Sequence, residues 1–221
     1  MKRLYIKIAL SITYSVAAME PSDSNIHSVI DNHISEVVVK MFCREDPLRG
    51  KLPELRVYQP DWLKNHVIKI DESRLKGAKK INDALKKLDN KSFFVPYKEE
   101  YLIPQEERKK TKRWVPESLV IAKKVIQDEQ KRINLEQAKE LKLLIVEAKY
   151  IDLNTGNLIP TADGIAICDT ERRSFHSNDA SSLDVLRSGL DSLANNFLLD
   201  DEAKKYVENE LSAVCSLKNK K

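Results

Sequence analysis

Apolar positions recur along much of this chain at the three- and four-residue spacing of helices buried on one face. Ser24 is placed to cap a helix that turns Ile26, Val29, Ile30, Val37, Val38 and Met41 inward. The stretch from Cys43 to Pro60 contains Pro47, Gly50, Pro53 and Pro60 and reads as irregular. Trp62 to Ile70 has the length of a short strand. Asp71 to Leu88 predicts a helix with Leu75, Ala78, Ile81, Leu85 and Leu88 on one side. Asn90 to Pro116, broken by Pro96, Pro104 and Pro116, reads as a linker, and a long polar helix is expected from Glu117 to Glu140.

The period then changes. Leu141 to Leu153 contains a continuous apolar run and ends in the turn sequence Asn154-Thr155-Gly156-Asn157, and a second run, Gly164 to Cys168, follows at hairpin distance. Two helices close the chain. Ser182 opens one, with Leu183, Leu186, Leu190, Leu193 and Phe197 inward. Asp200 or Asp201 opens the other, with Tyr206, Val207, Leu211 and Val214 inward. The pattern predicts an α+β fold, mainly helical with one β-hairpin at about 141–168. It divides into an N-terminal helical region (19–89), a basic linker (90–116), a region of helix, hairpin and two C-terminal helices (117–217), and a basic tail (218–221).

Residues 1–18 stand apart. Lys2, Arg3 and Lys7 form a positive start, Ile8 to Ala18 carries no charge, and Val16 and Ala18 are small residues at the −3 and −1 places of a cleavage site before Met19. Eleven helical residues span about 16 Å against a hydrocarbon core of about 30 Å. The expectation is a cleaved secretory signal, no membrane span, and a secreted product. Removing the three cations takes the formal charge from +4 to +1.

Apolar residues at 42% are enough for a core, which argues against wholesale disorder. Five glycines leave little for a glycine-cradled phosphate site. Cys43, Cys168 and Cys215 have no zinc-like spacing. An odd count in a secreted chain allows one internal disulfide and one thiol for a disulfide-linked partner; three buried thiols fit equally well.

Charge is unevenly distributed. Lys64 to Arg132 holds 19 basic and 11 acidic residues, and Tyr150 to Leu217 holds 5 basic and 12 acidic. Such asymmetry suits a polyanion partner or head-to-tail self-association as a scaffold. The densest cluster is Glu107-Arg108-Lys109-Lys110-Thr111-Lys112-Arg113-Trp114. Clustered cations displace condensed counterions from a polyanion, arginine adds a two-pronged fork, and Trp114 offers a face for a sugar ring. A solvated charged loop is the competing reading. Lys76, Lys79 and Lys80, near Arg74, share one helical face and extend the basic surface.

The order of Arg108, Lys109, Lys110 and Arg113 resembles a heparin-binding consensus. Together with Met1–Ala18, it is similar to secreted spore-wall proteins of microsporidian parasites, a resemblance covering about a tenth of the chain. It implies a wall or adhesion component that binds a sulfated glycosaminoglycan through those residues.

Leu143-Leu144-Ile145-Val146-Glu147-Ala148-Lys149 offers a different chemistry. Read as a strand, it resembles the second half of the PD-(D/E)xK nuclease motif, in which a carboxylate binds metal and a lysine positions water. The motif's first acidic ligand is missing, since the residues upstream read as helix. His27, His33, His66 and His176 show no metal-binding spacing. The sequence reading therefore assigns no catalytic residue, metal or cofactor. It favours a non-enzymatic polyanion-binding protein over a nuclease using Glu147 and Lys149, or a secreted scaffold.

Overall fold

A computed structural model of the chain describes residues 25–43, 45–46, 50–51 and 54–218. The expected signal segment, its cleavage point before Met19 and tail residues 219–221 lie outside the described residues. The chain divides into two compact units, 1–33 and 34–221. In the first, a short helix α1 (Ile26–Asp31) buries Ile26 and Ile30 and ends at a turn over Asn32 and His33. The turn interrupts the single helix expected from Ser24.

The second unit begins with α2 (Ile34–Phe42), whose inner face is Ile34, Val37, Val38, Met41 and Phe42. A two-residue ribbon, β1 (Glu45–Asp46) with β2 (Gly50–Lys51), follows. Next come β3 (Val57–Tyr58), β4 (His66–Lys69), α3 (Ser73–Lys87), β5 (Phe93–Phe94), β6 (Lys98–Leu102), α4 (Gln105–Lys109) and β7 (Ser118–Lys123). Then come α5 (Leu135–Ala148), β8 (Leu158–Thr161), β9 (Gly164–Ile167), a 3-10 turn at Arg172–Ser174, α6 (Ser182–Ala194) and α7 (Asp201–Lys218).

The expectation of a mainly helical fold with one hairpin is wrong. Two substantial sheets are present: an antiparallel one in the order β3-β4-β7-β6 and a three-stranded one in the order β5-β9-β8. Three misreadings account for the difference. First, the stretch 90–116 contains β5, β6 and α4. Its prolines lie at junctions: Pro96 between strands, Pro104 at the N-cap of α4, Pro116 ahead of β7. Second, Glu117–Glu140 is not one helix. β7 is buried from Ser118 to Ala122, and a strand covered on both faces loses the alternation that would reveal it.

Third, the apolar run at 143–146 belongs to α5. Ala138, Leu141, Leu144, Ile145 and Ala148 are buried at helical spacing, while Leu143 and Val146 are exposed. Asn134 and Gln137 form a reciprocal capping box at its start, and Lys149 in the left-handed conformation ends it. The hairpin that forms is β8–β9, turning at Ala162-Asp163, so Leu143–Val146 does not pair with Ile165–Ile167. Gly164 has φ 143°, and a Cβ there would lie 2.8 Å from the Ser92 carbonyl oxygen, where β5 runs parallel to β9.

The core joins α3, α5, the three-stranded sheet, α6 and α7. In the closing helices Leu190, Leu193, Val207 and Val214 are buried as expected, but Phe197 is 77% exposed.

Candidate functional site

The basic segment is only partly available to a ligand. α4 carries Arg108 and Lys109, and Lys110, Lys112, Arg113 and Trp114 follow it. Arg108 pairs with Glu117 at 3.4 Å, Lys110 pairs with Glu107, and Arg113 donates to the Phe42 carbonyl at 2.9 Å. Ser35 of α2 also donates to Glu107 at 2.6 Å; hydrogen bonds from Lys110 and Ser35 hold the Glu107 carboxyl below its usual range. Lys109, Lys112 and Trp114 remain exposed, and neither lysine pairs with a described carboxylate. Half of this cluster therefore ties α4 to its surroundings.

The second basic group divides in the same way. Lys76 and Lys80 line a cleft of about 800 Å³ with Arg172 and His176, and Lys80 sits 4.9 Å above the Phe175 ring. Arg74 lies on the opposite, buried side of α3.

Arg74 leads to a partly buried cluster of charges. The strand register sets Lys69 beside Val120 and Lys98 beside Ala122, so alternation puts both lysines on one face of the four-stranded sheet. Against that face lie α3 and the segment Cys168–Glu171, which leaves the end of β9. Lys98 Nζ donates to the Cys168 carbonyl at 3.0 Å and to Thr170 Oγ1 at 2.6 Å. Thr170 Oγ1 donates to the Arg74 carbonyl at 2.7 Å. Arg74 pairs with Asp169 at 2.5 Å and with Glu171 at 3.0 Å. Arg56 and Arg173 also reach Glu171. Gly77 permits this approach, because a Cβ there would sit 1.9 Å from the Thr170 carbonyl oxygen.

Cations outnumber anions here, and the titrations reflect it. Burial, then Lys69 and Arg74, push Lys98 down to about 7. Burial, then Arg74, lowers Lys69. Burial raises the Cys168 thiol against the pull of both lysines. The Lys69 ammonium makes no hydrogen bond or ion pair with a described residue. A half-buried cation without a counterion carries part of its desolvation cost uncompensated, and an anionic ligand would offset it.

A loop meets the cluster from the other side. Tyr150, fully buried at the end of α5, donates its hydroxyl to the Asp169 carbonyl at 2.7 Å. Two residues on, Asp152 accepts from Ser174 at 3.1 Å and from Asn154 at 2.6 Å. The buried Asn157 amide donates to the Asp152 carbonyl at 3.1 Å. α6 anchors the loop: Ser192 accepts from the Leu153 N–H at 2.9 Å, and Asn196 donates to the Leu153 carbonyl at 2.9 Å. Asp152, Asn157, Asp169 and Lys98 are thus joined through Tyr150 and the Cys168–Thr170 segment, and Lys69 shares the sheet face of Lys98.

Asp152, Asn157, Asp169 and Lys69 are not among the expected site residues, and Asn154–Asn157 is expected as a turn alone. The available signal was Asp152-Leu153-x-x-x-Asn157 followed, across a hairpin, by Asp169.

Glu147 and Lys149 do not form a strand-borne pair. Glu147 lies on α5 and pairs with Lys87 at 2.7 Å, while Lys149 is the left-handed cap and donates to the Asn178 carbonyl. Among the described residues no three His, Cys, Asp or Glu side chains are grouped to hold a metal ion, and no helix is long and apolar enough to cross a membrane. Cys43, Cys168 and Cys215 are free thiols. No protein-family model, curated protein or solved structure matches the chain.

Proposed function

We propose that this chain binds a nucleoside triphosphate, with the polyphosphate lying between the lysine-bearing sheet face and the Asp152–Asn157 loop. The observation that carries the reading is the chain of contacts that joins Lys98 to that loop. Lys98 is bonded to the Cys168–Thr170 segment, and the Asp169 carbonyl in the same segment receives the hydroxyl of Tyr150, which opens the loop. Phosphoryl-transfer enzymes of the protein-kinase type assemble the same kinds of parts. A strand lysine meets the phosphates, a D-L-x-x-x-N loop supplies the base and an asparagine, and an aspartate follows a later strand. Here Val67-Ile68-Lys69, Asp152-Leu153-x-x-x-Asn157 and Asp169 occur in that order. The correspondence is an analogy of layout, and function must rest on the site's own chemistry.

In that chemistry, Lys69 and Lys98 neutralise phosphate oxygens in a poorly solvated setting, where a charge pair is stronger than in water. Asn157 fixes the loop backbone. Asp152, oriented by hydrogen bonds from Asn154 and Ser174, would be the carboxylate that accepts a proton from a hydroxyl acceptor. Three departures matter. Tyr150 stands where such loops carry histidine, Thr170-Glu171 follows Asp169, and the buried face of α3 presents Arg74 in place of an acid for Lys69.

The test is titration of the full chain with a fluorescent ATP analogue, alongside Lys69→Met and Asn157→Ala. Saturable binding that weakens more than about tenfold in both variants supports the reading. Absence of binding to any nucleoside triphosphate overturns it.

A second reading keeps a sulfated glycan as ligand and secretion or spore-wall adhesion as setting. It is favoured by the exposure of Lys109, Lys112 and Trp114. Retention on heparin that falls with salt, and falls further in Lys109→Ala/Lys112→Ala, supports it. Elution of that variant at the wild-type salt concentration removes it.

A further inference from the structure

We infer that Arg74 takes the place of a divalent metal ion on Asp169, so that the nucleotide proposed above is bound without magnesium. The inference rests on that nucleotide reading and adds to it how the triphosphate's charge is balanced.

An aspartate in the position of Asp169 is used by kinase-type sites to hold the metal that bridges the phosphates. Magnesium needs carboxylate oxygens with free lone pairs, usually one or two of them beside the substrate's phosphates. On Asp169 one of the two oxygens is already committed. Its Oδ1 accepts from Arg74 at 2.5 Å and from the Glu171 N–H at 3.2 Å. The same guanidinium reaches Glu171 at 3.0 Å, and the side chains of Arg74 and Glu171 are only 5% and 3% exposed. A metal ion on Asp169 would share the carboxylate with a buried guanidinium, setting two cations side by side and weakening one of the two ion pairs that hold Arg74.

The surroundings also disfavour a dication. Lys69 and Lys98 share the sheet face that Asp169 approaches, and neither pairs with a described carboxylate. The other acid of the segment, Glu171, is taken by Arg74, Arg56 and Arg173. Among the described residues no group of three acidic, histidine or cysteine side chains offers an alternative metal site.

Arg74 is held where it is by hydrogen bonds to the backbone and close packing as well as by charge. Its Nε donates to the Ile70 carbonyl at 3.1 Å, its own carbonyl accepts from Thr170, and Gly77 brings this turn of α3 against Thr170. The guanidinium is therefore a fixed part of the site. Arg74 neutralises Asp169, and the two lysines are left to neutralise the phosphates, a division of charge that elsewhere needs the metal.

The experiment titrates the full-length protein with a fluorescent ATP analogue, once in excess EDTA and once in excess magnesium. The expected result is a Kd in EDTA within about threefold of that in magnesium. A loss of more than about tenfold in EDTA overturns the inference and leaves the nucleotide reading standing. No binding in either buffer overturns the nucleotide reading itself. Arg74→Gln, checked for folding by circular dichroism, should convert the site. Its binding should be weak in EDTA and recover about tenfold or more with magnesium, because Asp169 is then released. Equal affinity of a folded Arg74→Gln in both buffers also counts against the inference. Where that variant fails to fold, the wild-type pair of titrations decides alone.

Discussion

The side-chain amide of Asn157 donates to the backbone carbonyl of Asp152 at 3.1 Å, closing the loop between α5 and β8 on itself. The bond fixes the direction of the Asp152 main chain just where Tyr150 reaches across to Asp169. Removing it should loosen the loop while leaving the helices intact. Asn157→Ala is expected to lower stability by about 1–2 kcal/mol in urea denaturation, the cost of leaving the Asp152 carbonyl unpaired. An unchanged midpoint would show that the bond does not hold the loop.

Gly77 gives a sharper test of how α3 sits on the Cys168–Glu171 segment. Alanine at a mid-helix glycine ordinarily adds about 1 kcal/mol of stability. Here its Cβ would lie 1.9 Å from the Thr170 carbonyl oxygen, a backbone atom that cannot swing aside. Gly77→Ala should therefore destabilise by about 1–3 kcal/mol, as overpacking does, and should weaken nucleotide binding with it. A more stable Gly77→Ala protein would mean that the helix stands off from the segment.

Lys98 links the cluster to pH. It is pushed down to about 7 from 10.5, first by burial and then by Lys69 and Arg74. Between those two values the unfolded chain binds a proton that the folded chain lacks, so this residue makes stability rise with pH across that window and costs most below it. Lys98→Met should flatten that rise. Chemical denaturation of both proteins at several pH values checks this; parallel curves would refute it.

Ile145 and Leu143 distinguish a helix from a strand directly. In a strand they would share a face; on α5, Ile145 is fully buried and Leu143 is 54% exposed. Ile145→Asn should cost at least about 3 kcal/mol, because an aliphatic side chain is lost and an unpartnered amide is buried. Leu143→Asn should cost no more than about 0.5 kcal/mol, as surface substitutions do. Similar losses at the two positions would contradict the helix.

The comparison between chain and fold follows from these same residues. Where one face is buried and the other wet, the pattern is readable: α3 runs over Ser73–Lys87 within the expected 71–88, and α6 and α7 begin at the expected serine and aspartate. Where an element is covered on both sides, periodicity disappears. β7 illustrates this, and its burial between neighbouring layers is set by tertiary packing alone. α5 failed for a different reason. Apolar residues at 143 and 146 lie exposed beside the buried ones and imitate a continuous strand.

The candidate site divides along the same line. The sequence by itself determined the local chemistry: the spacing of Asp152 and Asn157, the turn that follows α5, and the concentration of cations from Lys64 to Arg132. Only the tertiary structure decided which cations matter. Strand register puts Lys69 and Lys98 on one face although 29 positions separate them, and α3 brings Arg74 to Asp169 across a separation of 95 residues. The basic run at 108–113 looks strongest in one dimension, yet Glu107 and Glu117 partly neutralise it. A charge gains its effect from what surrounds it. The low-dielectric space that gives Lys69, Lys98 and Arg74 theirs exists only after the sheet, α3 and the Cys168–Glu171 segment have closed around them.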